Sequence, residues 1–323
     1  MSWVKGMSRR RILVVDNLGD PGGVEDMIAR IKSSAEIAYR PGISRNDLLH
    51  EIENYDVLVV RSRTTVDRGL IDRARDLKLV ITATHGLDHI DIEYLRAKGI
   101  DYKNLSEQTN AVAEFVMALL LCMARKITLA DRLSKNGSWR KDEMVGIEVS
   151  GKILGVVGFG RIGQSVAEKA SALGMRVVTY EADINPEKGE RARTIGAEMV
   201  PFYDLLRMSD FITIHVPKTK TTSKMISKKE FALMKDGALL INAARGDVVD
   251  EEALLENLER GKLGGAAIDV YSVQPPFSKD QLRKIIADDK VVATPHIGGQ
   301  TKEARRSTID AISKILEEFV KSG

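Results

Sequence analysis

Cysteine is almost missing from this chain: Cys122 stands alone among 323 residues. A single thiol closes no intramolecular disulfide, which excludes a disulfide-stapled scaffold and suits a reducing, cytoplasmic compartment. Long apolar runs are missing too. The longest, Phe115–Ala124, is about half of the roughly 20 residues that a spanning helix needs, so no membrane partner is expected. No apolar stretch follows Met1, and no secretory leader is expected. Charge of one sign is also lacking. Lys and Arg total 49 against 46 Asp and Glu, and an excess of +3 marks no nucleic-acid binder. Short-period repeats and low-complexity tracts are absent. What remains is 43% hydrophobic and 29% charged, the balance of a folded globular protein. The length suits about two domains.

Strand-like and helix-like segments alternate along nearly the whole chain. Strands are expected at 11–16, 56–60, 79–83, 152–157, 176–180, 211–216, 238–241, 265–270 and 290–293. Helical spacing marks 24–33, 111–125, 162–173 and 302–321. Such alternation builds parallel sheets covered by helices on both faces. The glycine-rich turn lies near mid-chain. The expected architecture is therefore two doubly wound α/β domains, with a Rossmann domain at 106–294 inserted into a flavodoxin-like domain formed by 1–105 and 295–323.

Gly158-Phe159-Gly160-Arg161-Ile162-Gly163 is a G-x-G-x-x-G between an apolar strand and a helix, the context that makes the motif informative. Its first glycine allows a tight turn, its second lets backbone reach a pyrophosphate, and its third lets helix approach strand. The helix N-terminus offers N–H groups to phosphate. About twenty residues on, the next strand ends in Tyr180-Glu181. A carboxylate there accepts ribose hydroxyls and repels a 2′-phosphate, so the expected cofactor is NAD. A purely structural strand-to-helix turn is the competing reading.

Three polar residues close expected strands, where open α/β sheets bind ligands. Arg245 follows LINAA, Asp269 follows GAAI, and His296 follows VVATP. Arginine holds a carboxylate bidentately. Histidine exchanges a proton near neutral pH. Anchor, acid/base and nicotinamide together serve hydride transfer at a 2-hydroxy or 2-oxo acid. Each residue alone also has a plain structural reading, and His215 either lines the cofactor cleft or simply ends its strand. No metal is expected.

These motifs carry a resemblance. The segments Gly137-Ser138-Trp139, His215-Val216-Pro217 with Thr221 or Thr222, the block 239–269, and Pro295-His296-Ile297-Gly298-Gly299-Gln300-Thr301 resemble, almost end to end, the D-isomer-specific 2-hydroxyacid dehydrogenase family. The resemblance implies a homodimer formed through the NAD domain, with substrate bound between two domains. It implies Arg245 as substrate binder and His296 as proton donor and acceptor. Beside the glycine loop (Gly158, Gly160, Arg161, Ile162, Gly163) and Glu181, it implies cofactor contacts from His215, Pro217, Ala243, Ala244, Arg245, Asp269, His296 and Gly298.

Within the family the similarity is greatest to the branch acting on D-3-phosphoglycerate. Val60-Arg61-Ser62-Arg63-Thr64 resembles that branch's substrate motif. Arg61 and Arg63, two apart on an extended segment, would point the same way toward a phosphate. A solvated cluster with Arg68 is the alternative. Substrate contacts are expected from Arg61, Ser62, Arg63, His85, Gly86 and Arg245. The chain ends soon after its closing helix, so serine control through the family's regulatory domain is not expected.

Two departures stand out. The family places a glutamate five residues after Asp269, where this chain has Gln274. An amide still orients a histidine ring but brings no charge, so His296 is expected to be neutral more of the time, and reduction to shift to acid pH. Thr84-His85-Gly86-Leu87-Asp88 stands where members have Gly-x-Gly-x-Asp. Formate dehydrogenases of the family share the glutamine and an Asp-His pair like Asp88-His89, whereas Gln108 falls near their asparagine. The leading expectation is oxidation of D-3-phosphoglycerate. Glyoxylate or hydroxypyruvate reduction, formate oxidation and a non-catalytic NADH-sensing role stay open.

Overall fold

In the computed structural model the chain divides into two compact units, Met1–Gln108 together with Gln300–Gly323, and Thr109–Gly299. Residues 9–322 are described; the leader expectation at Met1–Met7 lies outside them. The crossings fall after Gln108 and Gly299, three and five residues beyond the expected Leu105 and Thr294. His296 thus belongs to the seven-stranded unit and not to the flanking domain. The cause is Asp269, whose carboxylate accepts the Ile297 and Gly298 N–H groups at 2.9 Å each and ties the His296 loop to that unit.

The first unit holds β1 (Arg10–Val14), β2 (Ala35–Tyr39), β3 (Val57–Val60), β4 (Leu79–Thr82) and β5 (Asp101–Asn104), all parallel in the order β2-β1-β3-β4-β5. The central strands read as unbroken apolar runs because both faces are covered. Ile12, Val14, Val57 and Val59 meet Val24 and Met27 of helix Pro21–Ile31 and Ile309, Ile312 and Leu316 of helix Lys302–Lys321. Alternate residues Leu13, Val15, Leu58 and Val60 meet Leu48, Leu70, Ile71 and Leu95 on the other face. Strand order reverses at β1 and β3, which makes the crevice beyond their carboxyl ends the ligand position of this topology.

The second unit holds β6 (Ile153–Val157), β7 (Arg176–Tyr180), β8 (Glu198–Met199), β9 (Phe211–Ile214), β10 (Ala238–Asn242), β11 (Leu263–Ile268) and β12 (Val291–Ala293). These are parallel in the order β12-β11-β10-β9-β6-β7-β8, and the order reverses at β6 and β9. Helices Thr109–Ala124 and Arg161–Ala172 cover one face, with Val116, Leu120, Val166 and Ala170 against Leu154, Val156 and Val177. Phe231, Leu254, Leu258 and Leu282 cover the other.

Three strands were not expected: β2, β5 and β8. All have exposed or half-buried residues along most of their length and lie at or beside sheet edges, so they lack the apolar run that announces a central strand. The basic residues at the start of β1 are partnered. Arg10 pairs with Asp56 at 2.9 Å, and Arg11 lies over the Tyr55 ring.

Candidate active site

The glycine motif does three different things. Gly158, with φ +96, brings its Cα so near the His215 carbonyl that a Cβ would meet the oxygen at 2.7 Å. At Gly163 a Cβ would lie 2.1 Å from the Gly158 oxygen, so helix Arg161–Ala172 packs on the strand end only without a side chain there. Gly160 is different: nothing lies within 4 Å of its Cβ position, and as N-cap it leaves the helix start without a side-chain partner. Open space before uncapped helix N–H groups is what a pyrophosphate occupies. Arg161 is exposed and Ile162 half-buried beside it.

Glu181 follows β7 and turns back to this loop. Its Oε2 accepts the Phe159 N–H at 2.8 Å, and Lys188 Nζ lies 3.5 Å from Oε1. These residues fit an adenosine-bearing dinucleotide: a carboxylate at the ribose position and an open, uncapped helix start. His215 lies just beyond β9, not in it. Its Nε2 is 2.9 Å from the Thr213 hydroxyl, and burial pushes its pKa down to about 3, so the ring is neutral at working pH. Pro217 is exposed, and its carbonyl accepts the Thr222 hydroxyl at 2.6 Å.

The acid/base residues follow three neighbouring strands. Buried Asn242 ends β10 and shapes the turn Ala243-Ala244-Arg245: its Nδ2 donates to the Arg245 carbonyl (2.9 Å) and its Oδ1 accepts the Ala244 N–H (3.1 Å). Half-buried Arg245 also donates from Nη1 to the Ala244 carbonyl at 2.6 Å. Gly246 then passes so close to the next segment that a Cβ would stand 2.0 Å from the Tyr271 carbonyl carbon. Glu251 holds Ser272 in that segment through both its N–H (2.7 Å) and hydroxyl (2.6 Å). The Arg245 turn and the chain leading to Gln274 are thereby packed together.

Asp269, 1% exposed, follows β11 and spends its carboxylate on the loop after β12. Beyond the two N–H bonds it accepts the Thr294 hydroxyl at 2.6 Å. Gly298 is buried there against Phe115. The loop needs that anchorage because His296 has φ +58, a left-handed conformation unfavourable for a side chain with a Cβ. The geometry makes Asp269 a positioning group for the histidine.

His296 Nδ1 lies 3.0 Å from Gln274 Oε1. An amide oxygen only accepts, so Nδ1 carries the hydrogen and the neutral ring keeps its lone pair on Nε2. Both residues border a cavity of about 440 Å3 with Tyr271, Phe277, Ile286 and Pro295. Burial, with the Asp269 charge, pushes the Tyr271 phenol up to about 12.

In the five-stranded unit, the expectation that Arg61 and Arg63 share an extended segment is corrected. Residues 62–64 turn, with the Thr64 N–H donating to the Arg61 carbonyl at 3.3 Å. Buried Asp16 shapes this turn by accepting the Arg61 N–H (2.6 Å) and the Thr64 hydroxyl (3.1 Å). Arg61 is half-buried, whereas Ser62 and Arg63 are exposed.

The loop after β4 contains a hydroxyl relay absent from the sequence expectations. Thr84 donates its one proton to the Gly86 carbonyl at 3.0 Å, so the 2.8 Å contact with Thr82 makes Thr82 the donor there. The 3.0 Å contact between Thr82 and His89 Nε2 then requires a hydrogen on Nε2. The threonine that replaces a family glycine thus holds the loop by side-chain bonds. His85 is exposed, with its carbonyl accepting Asn104 Nδ2 at 3.0 Å, and Gln108 Nε2 donates to the Ala83 carbonyl at 3.2 Å.

A doubly wound dinucleotide fold whose strand ends carry an arginine and, two strands over, an oriented histidine defines the class of cofactor-dependent α/β dehydrogenases. The chain belongs to the D-isomer specific 2-hydroxyacid dehydrogenase family: that family's NAD binding domain matches residues 117–298. It is 43% identical to the D-3-phosphoglycerate dehydrogenase of Archaeoglobus fulgidus over 85% of this chain and 51% of that one. It is 42% identical to the hydroxypyruvate reductase of Thermotoga maritima, over 86% of this chain and 89% of that one. A glyoxylate reductase structure from Paecilomyes thermophila superposes with a TM-score of 0.89 at 25% identity, covering 97% of this chain and 96% of the other. The chain spans about half the length of the curated phosphoglycerate dehydrogenases it matches.

Proposed function

We propose that the protein is an NAD-dependent D-2-hydroxyacid dehydrogenase that oxidises D-3-phosphoglycerate to 3-phosphohydroxypyruvate, a step of serine biosynthesis. The observation that carries this reading is the placement of Arg245, Gln274 and His296 after the adjacent strands β10, β11 and β12, with His296 Nδ1 held by Gln274. NAD, when bound, accepts the hydride from the substrate's C2 carbon. Gly160 and the helix start behind it bind its pyrophosphate, and Glu181 its ribose. His296 Nε2 takes the hydroxyl proton during oxidation and returns it during reduction. Arg245 holds the carboxylate and polarises the developing carbonyl. Asp269 keeps the His296 loop in place. His215, Pro217, Ala243, Ala244 and Gly298 add further contacts to the cofactor. Arg61, Ser62, Arg63, His85 and Gly86 bind the remainder of the substrate.

The identities to a hydroxypyruvate reductase and a glyoxylate reductase support a second reading, reduction of an unphosphorylated 2-oxo acid. The segment 127–147 leaves Ile127, Trp139, Val145 and Ile147 exposed, which supports a homodimer through the cofactor-binding unit. The lone Cys122 supports a cytoplasmic setting.

The test is NADH consumption with phosphohydroxypyruvate, hydroxypyruvate and glyoxylate side by side from pH 5 to 8. A preference for the phosphorylated acid, increasing toward acid pH, is expected. Turnover of the unphosphorylated acids alone would transfer the assignment to the reductase reading. NADH binding without any turnover would overturn both.

A further inference from the structure

The closing helix Lys302–Lys321 begins with two consecutive arginines in contrasting surroundings. Arg306 is paired with carboxylates: Asp26 at 2.7 Å, and Asp20 and Asp310 at 3.7 Å each. Arg305 touches none within ion-pair distance among the described residues. It donates from Nη1 to the Gly19 carbonyl at 3.0 Å and from Nη2 to the neutral Gln300 amide at 2.7 Å. The side chain lies flat on the loop after β1, where a Cβ on Gly19 would meet its Cδ and Nε at 2.9 Å.

Arg61 arrives at the same loop from the end of β3. Its Nη1 donates to the Asn17 carbonyl at 3.2 Å, two residues before the carbonyl that Arg305 holds. Asp16 is nearby, but its oxygens accept the Arg61 backbone N–H and the Thr64 hydroxyl. Burial first, then the Arg305 charge, lower the Arg61 pKa, and Asp16 opposes them. Two guanidiniums of like charge are thus brought together and half-buried, and the carboxylate beside Arg61 is Asp16. They stand where the order β2-β1-β3 reverses. Exposed Arg63 has no hydrogen bond or ion pair among the described residues.

We propose that Arg61 and Arg305 together form a phosphate subsite at the carboxyl edge between β1 and β3, with Arg305 as its second cation. The ligand is a phosphate monoester, whose oxygens offer a guanidinium the bidentate geometry that carbonyls do not. The assignment rests on the proposed reading of a phosphorylated hydroxy acid as substrate and makes Arg305 a specificity residue for it. Neither carbonyl bond need break, because each guanidinium has five donors.

Steady-state kinetics of the full chain with NADH test this, with phosphohydroxypyruvate against hydroxypyruvate for wild type, Arg305→Gln, Arg305→Lys and Arg63→Gln. Arg305→Gln should raise KM for the phosphorylated acid by about tenfold and leave that for hydroxypyruvate within about twofold. Arg305→Lys keeps the charge but loses the bidentate fork and should retain part of the discrimination, and Arg63→Gln should lower it less than Arg305→Gln does. Equal losses on both substrates in Arg305→Gln and Arg305→Lys alike would mean that Arg305 only braces the Gly19 loop, and would overturn the proposal. So would an unchanged ratio. If wild type turns over neither acid, the proposed function fails and calorimetry with inorganic phosphate decides the subsite alone. Binding lost in Arg305→Gln supports it, and binding retained overturns it. Phosphate binding lost while the KM ratio stays fixed would show an anion other than the substrate's, and would overturn the assignment as stated.

Discussion

Gln274 reaches the His296 ring as a carboxylate would, yet brings no charge to it. A carboxylate in contact with imidazolium raises its pKa by about one to three. Gln274→Glu should therefore keep the histidine protonated to higher pH. Reduction then gains at pH 7 to 8, and the inflection of its pH–rate profile moves up by about one to three pH units. Oxidation, which needs the neutral ring, should lose at low pH. Profiles of kcat/KM in both directions check this; coincident profiles for mutant and wild type would show that the missing charge does not limit reduction. Asp269 works at the same scale by another route. Its buried carboxylate accepts three donors from the left-handed His296 loop. Asp269→Asn turns an NH2 group against one of them, which should cost about 2–4 kcal/mol of stability. It should depress kcat more than NADH affinity, as melting curves and fluorescence titration would report.

At the scale of the element, the glycine loop separates folding from binding. Gly158→Ala forces φ +96 on a residue with a Cβ and drives that Cβ into the His215 carbonyl. A loss of at least about 1–3 kcal/mol is expected, visible as a lower Tm. Gly160 has φ −74 and open space before it, so alanine there should leave Tm within a few degrees. The methyl would instead occupy the pyrophosphate's approach and weaken NADH binding by about tenfold or more. Equal NADH affinity in Gly160→Ala would place the pyrophosphate elsewhere. Strand ends show a related division of labour. The expected strand 211–216 stops at Ile214 and 265–270 at Ile268, so His215 and Asp269 stand just past their strands, with side chains free of the sheet's alternation.

For the whole molecule, the half-buried His215 makes stability depend on pH. Its native pKa, about 3, lies below the value of 6.5 in an unfolded chain. Below pH 6.5 the unfolded chain binds the extra proton, so stability present above that pH is lost as pH falls toward 3. The slope from this group is at most about 1.4 kcal/mol per pH unit. His215→Gln should flatten the dependence between pH 6 and 4 in urea titrations; an unchanged slope would mean the ring is not buried in neutral form. Assembly is the other property at this scale. Trp139 is 86% exposed and Val145 73%. If the 127–147 segment covers itself with a second copy, sedimentation should find a dimer for wild type and a monomer for Trp139→Glu combined with Val145→Glu. A wild-type monomer would remove that reading.

Local chemistry was legible in the sequence wherever one short segment carries it. The apolar runs of β1, β3, β4, β6, β9 and β10 announce central strands because burial on both faces tolerates little else. The glycine spacing announces a dinucleotide turn because sterics allow nothing larger at Gly158 and Gly163. Gln274 was visible as an uncharged partner for His296 from its distance to Asp269 along the chain. Tertiary structure decided what depends on segments far apart in sequence. It showed Asp269 to be the anchor of the His296 loop and carried that loop into the seven-stranded unit. It bent the segment that carries Arg61 and Arg63, which was expected to be extended, because Asp16, 45 residues away, accepts the Arg61 N–H. It also laid Arg305 on the Gly19 loop, 286 residues distant, where no periodicity or motif could have placed it. Patterns along a chain record the local demands of backbone and burial, whereas the meeting of two cations at one sheet edge is set by topology alone.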